Sequence, residues 1–98
     1  MNYNCYEQWE AERDKEARAY AEEYLEQVRE YGDSKISYTT NYTKHTVEYV
    51  LAKVYFMLKG HNICLWFKLH KKRNRTYVCI ELYDESTIEE DTEIPDIE

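Results

Sequence analysis

The chain has 98 residues, a formal net charge of −7 and 34% charged residues. That length makes one domain with a modest core around a single sheet, and it excludes two such domains. A hydrophobic share of 43% suits a globular protein, and no run approaches the roughly 18 uninterrupted apolar residues of a membrane span.

The N-terminal stretch MNYNCYEQWEAERDKE has no basic region followed by an apolar one, so it does not read as a secretory signal. The cysteines are Cys5, Cys64 and Cys79, an odd number. Together these predict free thiols in a reducing cytoplasm. The unusual feature of the composition is 11 Tyr against 2 Phe. Tyrosine joins a large contact area to a polar tip, which suits half-buried surfaces and interfaces. Charge is segregated along the chain. Residues 1–33 hold ten acids and four bases, net −6; residues 34–80 hold nine bases and one acid, net +8; residues 81–98 hold nine acids and no base, net −9. A basic middle lies between acidic flanks.

The first element is a long helix over about Asn4–Tyr31. Tyr6, Trp9, Ala17, Tyr20, Ala21, Tyr24, Val28 and Tyr31 recur at the helical period, Arg13 breaks the stripe, and Gly32 stops it. Next, KISYTTNYTKH (Lys35–His45) alternates weakly and suits an edge strand of undecided register. TVEYVLAKVYFML (Thr46–Leu58) is rich in Val, Tyr and Phe. Its polar Glu48 and Lys53 define no single helical face, so the segment is expected to be a strand. A turn at Lys59-Gly60 would set Val50, Ala52, Val54 and Phe56 against Leu69, Phe67, Leu65 and Ile63. NICLWFKLH and TYVCIELYD alternate in the same way. A turn centred on Lys72-Arg73 would pair Leu69 with Thr76, Phe67 with Val78 and Leu65 with Ile80, and again the apolar faces coincide.

The expected fold is therefore α+β: one long N-terminal helix packed on one face of a three- to four-stranded antiparallel meander. The helix would cover Val50, Val54, Phe56, Leu65, Phe67, Val78 and Ile80. The domain is placed at residues 1–84, followed by an acidic flexible tail over residues 85–98.

The face opposite the helix is the candidate site. It is expected to carry Tyr49, Lys53 and Tyr55 on one strand, Trp66, Lys68 and His70 on the next, and Tyr77 on the last. Trp66 would sit centrally, on a middle strand between Lys53 and Cys79. The hairpin tip HKKRNR extends the face with Lys71, Lys72, Arg73 and Arg75. Aromatics interleaved with bases suit a protein partner, for which Trp and Tyr make hot spots. They also suit stacked bases and phosphates of a nucleic acid. A second minor core covered by the tail or a homodimer mate is the bland alternative. The carboxylate runs read as phosphate mimicry, as solubilising charge, or as a mask for the chain's own basic face.

Catalytic constellations are not evident. In the expected register His70 lies about 13 Å from the level of Cys79 and Cys64 about 20 Å from His70, at about 3.3 Å per strand residue, so no nucleophile meets a base. His61 and Cys64 in HNIC lack converging partners for a metal. Gly32 and Gly60 mark a helix stop and a turn rather than a phosphate loop. The expectation is a non-enzymatic binding protein without cofactor or metal. By size and composition alone the chain is similar to the small acidic inhibitors and immunity-like factors of phages and other mobile elements. Such a protein acts by protein–protein contact, for instance on a nucleic-acid-processing enzyme. A nucleic-acid-binding module is the alternative.

Overall fold

The computed structural model describes residues 2–86, and side chains from Cys5 onward. The tail expected over residues 85–98 therefore lies outside the described residues, apart from Glu85 and Ser86. The elements in order are α1 (Asn2–Tyr31), β1 (Ser34–Thr40), α2 (Lys44–Lys59), β2 (Ile63–Lys72) and β3 (Arg75–Asp84). The fold is α+β with a three-stranded antiparallel sheet, and no helix among the described residues is long and apolar enough to cross a membrane.

Helix α1 follows the expected apolar stripe in its middle, but Tyr6 and Tyr31, expected on it, are exposed at the two ends. Ala17, Ala21, Tyr24 and Val28 are buried along it. It ends at Gly32, whose φ of +78° lets its N–H turn back to the Val28 carbonyl at 2.7 Å, a left-handed stop suited to glycine. Arg13, the apparent break in the stripe, is itself packed. Its guanidinium lies 5.7 Å from the Trp9 ring and 5.1 Å from the Tyr42 ring, and reaches Glu16 at 3.0 Å. The apolar stem and planar head of arginine let it occupy a core-facing position that a sequence reading marks as polar.

The segment Thr46–Leu58 is helix, not strand. Thr43 caps α2 by accepting from the Thr46 N–H at 3.2 Å. The helix buries Val47, Val50, Leu51, Val54 and Leu58, spaced by three and four. Gly60 is its C-cap and not a hairpin turn. Phe56, expected in the core, points outward at 70% exposed. The segment is apolar at every position except Thr46, Glu48 and Lys53, so a period of two and a period of 3.6 both fit it. Length and the Thr43 cap decide for helix.

The sheet order is β1-β3-β2, with β3 antiparallel to both neighbours. The fourth strand is absent among the described residues, and the arrangement is not a meander. Strands β1 and β2 run parallel with β3 between them, a connection that needs a crossover, which α2 provides. The β2–β3 hairpin turns at Arg73-Asn74, with Arg73 at φ 59° and Lys72 opposite Arg75. Each β2 residue thus meets a β3 residue two places beyond the expected one: Leu65 meets Leu82, Phe67 meets Ile80 and Leu69 meets Val78. A shift of two preserves which face each side chain occupies. Ile63, Leu65, Val78, Ile80 and Leu82 join both helices in one core. Thr76, fully buried, donates its hydroxyl to the Tyr42 carbonyl at 2.7 Å.

Candidate binding face

Both helices pack on one side of the sheet, through the alternate residues just named. The other side chains of the strands point away. In the observed register they form rows across the sheet: Cys64 with Tyr83, then Trp66, Glu81 and Lys35, then Lys68, Cys79 and Ser37, then His70, Tyr77 and Thr39, and last Lys72 with Arg75. No described element covers this outer face. Trp66 is 64% exposed on it and Tyr77 41%.

The expected site residues separate into two groups. Trp66, Lys68, His70, Lys72, Arg75 and Tyr77 share the outer face. Arg73 lies in the turn, and Lys71 alternates to the opposite side but is exposed at the strand's end. Tyr49, Lys53 and Tyr55 are not on the sheet at all, because their segment is α2. The Tyr49 ring packs 4.9 Å from Trp9 and its hydroxyl donates to Asp14 at 3.3 Å. Lys53 pairs with Asp14 at 3.4 Å, and that hydrogen bond raises the lysine pKa. Tyr55 meets Phe56 edge-on, with Lys59 over its ring. Tyr49 and Lys53 thus help join α2 to α1. Trp66 is not flanked by Lys53, and β2 is an edge strand rather than a middle one.

Alternation puts Glu81 and Tyr83 on the outer face with Tyr77, though not among the expected binding residues, and the sequence does not indicate Lys35. Lys35 needed the register of β1, which no pattern in its Ser- and Thr-rich segment decides. Glu81 faces Lys35 at 3.9 Å and accepts a hydrogen bond from the Tyr83 hydroxyl, which raises the tyrosine pKa. Trp66, Phe67, Lys68, Cys79, Glu81 and Tyr83 line a shallow depression of about 520 Å³. The outer face therefore has two ends. One is an aromatic depression bordered by a carboxylate. The other, about 20 Å along β2 at 3.3 Å per residue, is the basic tip of Lys72, Arg73 and Arg75.

The register also changes the geometry around the thiols. His70 and Cys79 are diagonal neighbours across β2 and β3 rather than about four residues apart. Diagonal partners are about 7–8 Å apart at the backbone, a span that long side chains can bridge. Cys79 instead receives the Ser37 hydroxyl at 3.8 Å. Cys64 sits where burial pushes its thiol pKa up, which lowers its reactivity. Among the described residues no three His, Cys, Asp or Glu side chains converge on a metal position.

No protein family, curated protein or solved structure matches this chain.

Proposed function

We propose that the protein is a small non-enzymatic binding protein of the cytoplasm, an inhibitor or immunity-like factor that acts by protein–protein contact through its outer sheet face. The observation that carries this reading is the exposure of Trp66 beside a depression on a sheet face that no described element covers. A half-open aromatic depression takes an apolar side chain of a partner, and an exposed Trp at its rim is the residue type that dominates interface energies. Glu81 borders the depression and disfavours a phosphate there. The basic tip suits acidic groups on the same partner.

A second reading has its own support. Lys68, His70 and Lys72 repeat at two-residue intervals along β2, roughly 6.6 Å apart at the usual strand rise, which suits a row of phosphates, with Tyr77 as a stacking surface. In that reading the protein is a nucleic-acid-binding module.

The test is capture from a lysate of cells that express the protein, followed by titration of the captured partner. Protein capture that Trp66→Ala abolishes supports the first reading. Salt-sensitive binding of an oligonucleotide, with no protein captured, replaces it with the second.

A further inference from the structure

The sheet order makes β2 one of two edges, and the hydrogen-bond pattern fixes what that edge presents. At one end of the β2–β3 ladder the Glu85 N–H donates to the Asn62 carbonyl at 2.9 Å. At the other end Lys72 lies opposite Arg75 across the two-residue turn. Both ends put the even-numbered residues of β2 in the pairs that exchange hydrogen bonds with β3. Ile63, Leu65, Phe67, Leu69 and Lys71 therefore turn their N–H and C=O groups away from β3, to a side where no described strand follows.

An edge of this kind is a template for another strand. The second edge, β1, is shorter, at 7 residues against 10. Strand β2 has no proline, glycine or bulge to interrupt it. Its apolar side chains are also left uncovered on both faces. Trp66 is exposed on the outer face, and Phe67 and Leu69 are only half-buried on the side of the helices.

We infer that β2 pairs antiparallel with β2 of a second copy, across a twofold axis at Phe67, joining two three-stranded sheets into one of six strands. Hydrogen-bonded partners must both turn their backbone groups to the shared edge, so odd-numbered residues meet odd-numbered ones. Among such registers, only the one centred on Phe67 pairs all five edge-facing residues: Ile63 with the second copy's Lys71, Leu65 with its Leu69, and Phe67 with its Phe67. The side chains match in the same register. Lys68 falls opposite Trp66, His70 opposite Cys64 and Lys72 opposite Asn62, so no base faces a base, and a cation meets an aromatic ring twice. A shift of two residues would set Lys68 against Lys68. Charge agrees at the ends of the pair. Cys64 has its thiol pKa raised by burial and then by the Glu85 charge, so a carboxylate lies where the second copy's His70 and Lys72 arrive. The contact lies in the plane of the sheet and leaves the outer face open, so it goes beyond the reading of that face as a binding site.

Sedimentation velocity of the full chain tests the pairing. Between about 1 and 300 µM it should show a monomer–dimer equilibrium with a Kd on the order of 10 µM, as suits a small contact. W66K sets an ammonium against the second copy's Lys68 at two symmetry-related places and should weaken the dimer about tenfold or more. W66K/K68E sets opposite charges there and should restore the Kd to within about threefold of the original. Both positions are exposed, and circular dichroism checks that each variant is folded. A chain that stays monomeric throughout overturns the dimer and leaves the edge to a strand of another protein. A W66K dimer as tight as the original overturns it as well, and so does a W66K/K68E dimer no tighter than W66K, which breaks the register. Growth beyond a dimer also overturns it, because a twofold contact closes. The measurement needs no partner. A monomer that still captures a protein through Trp66 removes the dimer alone, and a dimer that captures none removes the outer-face reading alone.

Discussion

Replacing Trp66 by Ala separates a binding surface from a second core. Trp66 is 64% exposed, so about a third of its area is hidden in the free protein. For a side chain of about 250 Å² that is roughly 90 Å², or about 2 kcal/mol at 25 cal/mol per Å², an upper bound because the unfolded chain also shields some surface. Leu82, fully buried in the core, provides the contrast: its replacement by Ala should cost about 2–5 kcal/mol. Binding should respond in the opposite order. A hot-spot Trp accounts for about 2 kcal/mol or more, so Trp66→Ala should weaken the partner roughly 30-fold or beyond. Leu82→Ala should leave the affinity of the folded fraction near its original value. Urea unfolding gives the stabilities, and titration of the captured partner gives the affinities. If Trp66→Ala destabilises as much as Leu82→Ala while the folded fraction binds normally, the outer face is a covered core and the functional reading fails.

Replacing Lys68 and Lys72 together by Gln should flatten the salt dependence of oligonucleotide affinity by about one logarithmic unit per lost phosphate contact if the face binds nucleic acid. For a protein partner the same change should be milder than Trp66→Ala. Thr43→Ala removes the cap of α2 and should lower stability by about 1 kcal/mol in urea unfolding, with Thr43→Ser close to the original. Stability should also fall in alkali. Burial pushes the Tyr38 hydroxyl up from 10.0 to about 12 and raises Tyr24 further still. The folded state holds these protons after the unfolded chain would release them, so the contribution is intact below pH 10 and is lost as pH rises from about 10 towards 12. Absorbance at 295 nm should show the late tyrosinate signal appearing together with loss of helical circular dichroism, and Tyr38→Phe should weaken the pH dependence. Ionisation of Tyr24 and Tyr38 near pH 10 with the fold intact would refute the burial argument.

Helix α1 was legible because one apolar stripe holds over its packed length and Gly32 ends it. The outer positions of β2 and β3 were legible because alternation fixes the face of each side chain. A turn misplaced by one residue on each strand, at Lys72-Arg73 instead of Arg73-Asn74, changes partners without exchanging faces. That is why Trp66, Lys68, His70 and Tyr77 were placed on the correct surface with the wrong neighbours. Helix α2 was not legible, because a segment with polar residues only at Thr46, Glu48 and Lys53 pairs as readily with β2 as it packs against α1. The stripe Val47, Val50, Leu51, Val54 and Leu58 was present but hidden among exposed or half-exposed Tyr49, Tyr55, Phe56 and Met57. Reading the segment as a strand carries Tyr49, Lys53 and Tyr55 onto the sheet with it. The order β1-β3-β2 was hidden too, since chain order suggests that neighbours in sequence pair in space, and here β1 skips both α2 and β2 to reach β3.

That strand order governs how the chain must come together during synthesis. The central strand is the last of the three to be made, so neither β1 nor β2 has a hydrogen-bonding partner until residues 75–84 have left the ribosome. The two helices form from local contacts, whereas the sheet waits for one late insertion that satisfies both edges together. Until then the apolar sides of Ile36, Tyr38, Ile63 and Leu65 are open to solvent and to other nascent chains. Residues 75–84 thus control the protein's exposure to misassembly as it emerges. A lesion there that stalls translation or slows pairing should show first as lower soluble yield, before any change in the affinity of the molecules that complete folding.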